Sequence, residues 1–243
     1  MTDFHARALL RWPSRVLAAV AVLMLAGVIW HAGVSSVRAE AASVLPVPKL
    51  DNPKQAGTAQ TAVISGGCFW GIQGVFQHVK GVKQAISGYA GGESSTAEYE
   101  KVSTGATGHA ESVRITFDPG QISYGELLQI ALSVAFDPTQ LNRQGPDIGS
   151  QYRSVFFYAD EAQKNIASAY IDQLNQARVF SRPIVTRVEP LRGFYAAEAY
   201  HQDYLYLHPS QPYIAFNDLP KVDDLKRVFP DRYVAQPVLV NPR

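Results

Sequence analysis

A single cysteine, Cys68, follows directly after Gly66 and Gly67 in this 243-residue sequence. One cysteine excludes an intramolecular disulfide framework and a zinc cluster built from cysteines. The chain must therefore be held together by a hydrophobic core, and its hydrophobic content of 47% is enough to build one. The 22 lysines and arginines are balanced by 21 acidic residues, which argues against nucleic-acid binding through a basic face.

The first 41 residues have the pattern of a targeting segment. Three arginines precede an apolar run over residues 16–30, and an A-x-A pattern follows at residues 39–41. A basic start, an apolar helix and a small-residue cleavage site predict a secretory signal peptide. The uncharged stretch over residues 16–37 is also long enough to remain as a membrane anchor. In either case we expect the rest of the chain on the periplasmic or extracytoplasmic side.

Residues 42–60 are rich in proline, alanine, glycine and glutamine and show no periodicity, which predicts a flexible linker. From Thr61 onward, short apolar strands alternate with helical segments. Strands are predicted at 62–64, 83–89, 111–117, 154–158 and 184–188, and helices from Cys68 and over 127–134, 161–177 and 196–207. Residues 209–243 contain several prolines and are expected to wrap the surface. The mixture predicts an α/β two-layer fold.

Cys68 stands where a strand and two glycines lead into a helix. Free N–H groups and the helix dipole stabilise an anion at a helix start, so we expect the pKa of this thiol to be lowered. The alternative is a buried structural cysteine, a common fate of a lone cysteine. Phe69 and Trp70 follow immediately and cannot both point the same way on a helix. At least one of them is therefore expected to line a pocket beside the sulfur.

Four sequence blocks occur in a fixed order: GGCFWG at 66–71, GHAE at 108–111, DPTQLNRQGPDIGSQYRS at 137–154 and FYAAEAYHQDYL at 194–205. Together they resemble peptide-methionine (S)-S-oxide reductase, the class A methionine sulfoxide reductase family, over about residues 61–230. The resemblance implies one monomeric domain, a mixed sheet with helices and a ferredoxin-like core. Residues 231–243 would then be a C-terminal tail.

The resemblance also implies roles for individual residues. Cys68 would attack the sulfoxide sulfur and end as a sulfenic acid, while Glu111, neutral in an apolar pocket, would donate a proton to the oxygen. Tyr99 and Tyr152 match hydroxyl donors to that oxygen, Phe69 and Trp70 match aromatic walls around the methyl group, and Asp147 matches a polar residue bordering the site. No metal or organic cofactor is implied.

The expected substrates are methionine sulfoxide in proteins and free methionine sulfoxide, in one epimer only, because methyl and oxygen are placed with a fixed hand. Many family members regenerate the first cysteine with further cysteines in the C-terminal tail, and this tail has none. Regeneration is therefore expected to use an external thiol, in a thioredoxin-like protein or a small molecule.

Two other readings of the same residues are possible. Cys68 could serve a thiol hydrolase or acyltransferase, with His109 or His201 as the base. An aromatic groove next to the cysteine could also belong to a protein that binds peptides without chemistry. The hydrolase requires a histidine beside the thiol, and the reductase requires Glu111 there.

Overall fold

The computed structural model describes residues 42–241. The strands are β1 (Gln60–Ser65), β2 (Val82–Ala90), β3 (Ala110–Phe117), β4 (Arg143–Gln144), β5 (Asp147–Ile148), β6 (Val155–Tyr158), β7 (Arg187–Pro190) and β8 (Phe194–Ala196). The helices are α1 (Phe69–Gln77), α2 (Tyr99–Val102), α3 (Tyr124–Ile130), α4 (Glu161–Ala177), α5 (Tyr204–Leu207) and α6 (Leu219–Val228).

Six strands form one sheet in the order β7-β6-β1-β3-β2-β8, and β4 pairs with β5 in a separate ribbon. All neighbours in the six-stranded sheet are antiparallel except β6 and β7. The four central strands, β6-β1-β3-β2, are connected as strand, helix, strand, strand, helix, strand. This is the split β-α-β connectivity of a ferredoxin-like core, and the mixed α/β sheet fold is confirmed.

The two faces of the sheet are buried to different extents. On β1, Ala62 and Ile64 belong to the large core that includes residues of α1, α3 and α4, whereas Val63 belongs to a small cluster on the opposite face. The strand β3 follows the same alternation, with Val113 and Ile115 on the helix side. Side chains alternate between faces with a period of two, so parity alone decides which β3 residues face α1.

Most predicted elements are present near their predicted bounds. Ser123 and Glu126 form a capping box at the start of α3, and α3 continues as one π-helical turn to Ala135. Asp160 caps α4, which spans the predicted residues. The strand predicted at 184–188 is wrong in its first half. The Ile184 N–H bonds to the side chain of Asn175 in α4, the Val185 N–H bonds to the Pro138 carbonyl, and β7 begins at Arg187.

The helix predicted over 196–207 is wrong for most of its length. The chain leaves β8, forms a short 3₁₀ turn at Ala199–His201, becomes extended at Gln202 and takes a left-handed conformation at Asp203, with φ of 59°. Only the last four residues of the prediction, those of α5, are α-helical. Gln202 is buried and bonds to the backbone of Ser87, an interaction that a continuous helix would break.

The segment from Pro209 onward is more than a surface wrap. It forms a π-helical turn at Ile214–Asp218 and then α6, whose Val222 and Leu225 are buried in the main core. The last described residues do lie along the surface, where the Val238 N–H donates to the Gln77 carbonyl at the end of α1. Three buried aliphatic residues in this segment, Ile214 included, explain why it enters the core.

The segment predicted as a linker contacts the domain. Leu45 is buried; its N–H donates to Ser133 Oγ and its carbonyl accepts from Gln129 Nε2. The carboxylate of Asp51 accepts the N–H of Gly125 in the first turn of α3. Residues 45–51 therefore belong to the packed domain, in contrast to the expected free tether.

The targeting segment predicted at residues 1–41 lies outside the described residues. Within residues 42–241, no helix combines the length and the apolar character needed to cross a bilayer.

Candidate active site

Two glycines place Cys68 at the start of α1. Gly67 has a φ of +102°, which a residue with a side chain rarely adopts, and a Cβ on Gly66 would lie 2.3 Å from the ring of Phe136. The chain can therefore turn sharply out of β1 beneath Phe136. Cys68 becomes the N-cap residue of α1 and is 8% exposed.

Glu111 reaches the same point from the sheet. It shares the parity of Val113 and Ile115 on β3, so its side chain faces α1, and it is 3% exposed. Its Oε2 accepts the backbone N–H of Phe69 at 3.0 Å. A carboxyl group is thus held one residue away from the thiol, at the same helix terminus.

A cavity of about 230 Å³ opens beside these two groups. It brings together all seven site residues that the sequence predicts, from four separate stretches of chain. The lining residues are Cys68, Phe69, Trp70, Tyr99, Glu111, Asp147, Tyr152, Gln211 and Tyr213. The cavity is large enough for one amino-acid side chain and too small for a folded segment.

Burial raises the pKa of Glu111 to about 8. The Phe69 N–H opposes this shift, and the nearby carboxyl groups of Asp147 and Asp218 add to it. A carboxyl group with this pKa carries its proton near neutral pH. The expectation of a neutral Glu111 that can act as an acid is consistent with this environment.

The pKa of Cys68 is raised, not lowered as the sequence led us to expect. Burial is the main cause, and the charges of Glu111 and Asp218 add to it. The expected helix effect exists, since the Trp70 N–H lowers the pKa, as does Lys221, but both are outweighed. The resting site therefore holds a protonated thiol beside a protonated carboxyl group.

Tyr99 and Tyr152 line the cavity from two loops, at the start of α2 and in a 3₁₀ turn at Ser150–Tyr152. Burial, followed by the charge of Glu111, raises the pKa of both phenols. Their hydroxyl groups therefore remain donors at physiological pH. Asp147 lies on β5, where its carboxylate accepts the hydroxyl of Tyr213.

Trp70 forms an aromatic wall of the cavity, and three neighbouring side chains contact its ring. Its ring stacks on Tyr204 with a centroid separation of 3.9 Å and an angle of 10°. Its Nε1 donates to Nδ1 of the buried His201 at 3.2 Å. Tyr213 meets it edge-on, with centroids 6.1 Å apart. Phe69, its neighbour, is fully buried and also lines the cavity, so both aromatic residues contribute to the site.

Sequence reasoning missed Tyr213 and Gln211, which come from the segment assigned to the surface. The signal for Tyr213 was its position directly before the apolar Ile214, because an aromatic–aliphatic pair favours burial. It also missed the ion pair of Asp218 and Lys221, joined at 2.9 Å. This pair lies against Gly71, where a Cβ would come within 2.2 Å of Asp218 Oδ1.

Neither histidine is placed as a base for Cys68. Neither the His109 ring nor the His201 ring lines the cavity. His201 accepts the Trp70 indole N–H, and the two ring nitrogens of His109 contact the Gly92 N–H and the Glu93 carbonyl. The hydrolase alternative therefore lacks the thiol–imidazole contact on which it depends.

Comparisons with known proteins identify methionine sulfoxide reductases as relatives of this chain. The family model described as peptide methionine sulfoxide reductase matches residues 60–233. The chain is 59% identical to the peptide methionine sulfoxide reductase MsrA 2 of Mesorhizobium japonicum over 187 residues, covering 77% of this chain and 96% of that protein. It is 47% identical to the MsrA 2 of a Synechocystis strain, covering 79% and 92%.

A solved structure has the same fold. The methionine sulfoxide reductase A of Corynebacterium diphtheriae superposes with a TM-score of 0.54 at 32% identity, covering 72% of this chain and 92% of that one. The family consists of oxidoreductases that reduce methionine sulfoxide. A matching family model over most of the chain, together with relatives of this identity, shows that the chain belongs to the peptide methionine sulfoxide reductase family.

Proposed function

We propose that this reductase acts on the S epimer of methionine sulfoxide through Cys68 and Glu111. The observation that carries the proposal is their position at one small cavity, where Glu111 is bonded to the N–H of the residue after Cys68. A sulfoxide has a partly positive sulfur and an oxygen of anionic character. Its reduction needs a soft nucleophile and a proton donor, which are the two groups present.

The chemistry balances without a cofactor. The sulfur of Cys68 forms a bond to the sulfoxide sulfur, while Glu111 gives its proton to the sulfoxide oxygen. The thiol proton restores Glu111, the bond between the substrate sulfur and that oxygen breaks as the oxygen is transferred to the Cys68 sulfur, and the bond between the two sulfur atoms breaks as methionine leaves. The products are a sulfenic acid and a thioether, so Cys68 is oxidised by the two electrons that reduce the substrate.

The two kinds of cavity wall account for the choice of epimer. Tyr99 and Tyr152 offer hydroxyl donors to the oxygen, Phe69 and Trp70 form an apolar wall for the methyl group, and Asp147 borders the site. With the thiol fixed as a third reference point, exchanging methyl and oxygen would place the oxygen against the aromatic rings. Burying that oxygen without a hydrogen bond is unfavourable.

We propose further that an external thiol, in a thioredoxin-like protein or a small molecule, regenerates Cys68. The sequence contains one cysteine, so an internal disulfide cannot form. A thiolate from outside would attack the sulfenic sulfur, release water and form a mixed disulfide, which a second thiol resolves. Methionine sulfoxide in proteins and free methionine sulfoxide are both proposed substrates. The chain is proposed to act as a monomer.

The site of action is proposed to be the periplasmic or extracytoplasmic side, on the basis of the arginines and apolar run in residues 1–41. The repaired proteins would then be exported proteins. Fractionation of cells that express the full chain would test this. Recovery in the cytosol with an intact N-terminus would overturn it, and a mass measurement would separate a cleaved form from an anchored one.

Single-turnover reduction of a peptide that carries each epimer separately tests the reaction itself. Without added reductant, we expect one methionine per chain from the S epimer and a Cys68 heavier by one oxygen atom. The rate should fall as pH rises through about 8, because Glu111 loses its proton before Cys68 does. Turnover of both epimers, or an unmodified Cys68 after turnover, would contradict the proposal.

A further inference from the structure

Glu198 is not among the residues that line the cavity, and its carboxylate bonds to two tyrosines, Tyr99 and Tyr89. Its Oε1 accepts the backbone N–H of Tyr99 at 2.9 Å, and its Oε2 accepts the hydroxyl of Tyr89 at 2.9 Å. His201 Nε2 is 4.0 Å from the same Oε2. The carboxylate therefore stands between the first residue of α2 and a buried imidazole.

The imidazole connects Glu198 to Trp70. His201 Nδ1 accepts the indole N–H, so in the neutral ring the proton is on Nε2, the nitrogen that faces Glu198. Burial lowers the pKa of His201, which favours this neutral form. Within the described part of the chain Nε2 has no hydrogen-bond partner at standard distance, and Glu198 Oε2 lies 4.0 Å from it.

The same ring touches the other wall. The centroids of His201 and Tyr99 are 4.5 Å apart, and those of His201 and Phe69 are 5.1 Å apart. A shift of His201 would therefore disturb the aromatic wall and the phenol together. The three groups around the Glu198 carboxylate are donors: the Tyr99 amide N–H and the Tyr89 phenol O–H at hydrogen-bond distance, and the His201 imidazole N–H at 4.0 Å. A carboxylate can accept hydrogen bonds from all of them. A glutamine amide at position 198 would instead place its NH₂ group, a donor, against one of these donors.

We infer that Glu198 is a positioning residue for the reductase site: it holds Tyr99 through the backbone N–H of that residue, and it holds the Trp70 ring through His201. The inference rests on the proposed roles of Tyr99 and Trp70 as the oxygen donor and the methyl wall. Glu198 itself does not touch the substrate. It fixes the separation between the two walls, which is the distance that a bound methionine sulfoxide must fit.

The decisive variant is Glu198→Gln in the full chain, because it keeps the size of the side chain and removes the second acceptor. In single-turnover reduction, we expect the sulfoxide concentration at half-maximal rate to rise about tenfold, the size expected for one hydrogen bond to a charged group. The limiting rate should fall by a smaller factor. Alkylation of Cys68 should keep its rate, since the thiol and Glu111 are untouched. Glu161→Gln, an exposed position on α4, is the matched control and should change nothing.

Two further readouts separate positioning from a general loss of structure. In the Tyr99→Phe background, Glu198→Gln should raise the sulfoxide concentration at half-maximal rate by a clearly smaller factor than in the wild type, because one of the groups that Glu198 positions is already gone. In a chain with Trp12→Phe and Trp30→Phe, Trp70 is the remaining tryptophan. Its emission should shift in Glu198→Gln and not in Glu161→Gln.

The outcomes are distinguishable. An unchanged half-maximal concentration and unchanged Trp70 emission in Glu198→Gln overturn the inference, as does an equal cost in both backgrounds. If Tyr99→Phe alone has no effect, the proposed role of Tyr99 fails instead, and the Trp70 emission decides the other half. If Glu198→Gln does not fold, Glu198→Asp carries the test: it keeps the charge, shortens the reach, and should give a smaller shift in the same direction.

Discussion

At the scale of single residues, the main feature of this reductase is a buried carboxyl group, Glu111, whose pKa is raised by its burial. Glu111 loses water on folding and gains one backbone N–H in return. An unfolded chain would ionise this group near its ordinary pKa of 4.5, whereas burial raises the folded value to about 8. Between those two values the folded protein binds a proton that the unfolded chain has released. Folding stability contributed by this residue therefore falls as pH rises from 4.5 to 8.

Replacing Glu111 by Gln should abolish most of the reduction and yet stabilise the fold at high pH. The amide keeps an acceptor for the Phe69 N–H and has no charge to bury. Relative to wild type, the gain should be absent at pH 4 and reach on the order of 3 to 5 kcal/mol above pH 8. Urea unfolding of both proteins at pH 4, 6 and 9 measures it, with the exposed Glu161→Gln as control. A difference that is independent of pH would refute the assignment of the raised pKa to Glu111.

At the scale of elements, local patterns predicted most of the secondary structure and failed where buried polar side chains take over. Alternation placed Glu111 on β3, and the capping box placed α3, because both are interactions between near neighbours. The segment after β8 has good helix formers, yet Gln202 bonds to Ser87 and Gln73, which are far away in sequence. Those bonds hold the backbone extended at Gln202 and left-handed at Asp203.

The start of α1 provides a test at this scale. In a helix, Gly→Ala ordinarily adds about 1 kcal/mol of stability. At Gly71 the new Cβ would lie 2.2 Å from Asp218 Oδ1 and 2.8 Å from Lys221 Nζ. We expect Gly71→Ala to displace this buried pair and cost about 2 kcal/mol or more, because a buried carboxylate would lose its partner.

Thermal and urea unfolding of Gly71→Ala measure that loss. Gly120→Ala is the control, since its nearest contact would be 3.3 Å from an exposed loop atom and its cost should stay within about 0.5 kcal/mol. Equal behaviour of the two variants would mean that Asp218 and Lys221 move aside without loss. Cys68 in the Gly71→Ala variant should also react with an alkylating reagent at a changed rate, because the charges of Asp218 and Lys221 both act on that thiol.

At the scale of the whole molecule, the sequence predicted which residues come together at the candidate site better than it predicted which segments complete the domain. Cys68 and Glu111 lie in two of the four sequence blocks that resemble the family, and all seven predicted residues line one cavity. Tyr213 was missed because its segment is broken by prolines, and residues 45–51 were missed because they have no periodicity at all. Both segments make their contacts at long range, where local pattern carries no information about the partner.

The docked segment before β1 should therefore contribute to the stability of the catalytic domain. Leu45 is 7% exposed and Leu50 is 49% exposed, so the same segment offers a matched pair of leucines. We expect Leu45→Ala to cost about 2 to 3 kcal/mol, because a buried leucine loses both its transfer energy and its packing. Leu50→Ala should stay within about 0.5 kcal/mol. Urea unfolding of the two variants decides the matter: an equally small cost for both would mean that residues 45–51 act as a tether, and the larger cost at Leu45 alone would place the boundary of the folded domain before residue 45, well ahead of its first strand.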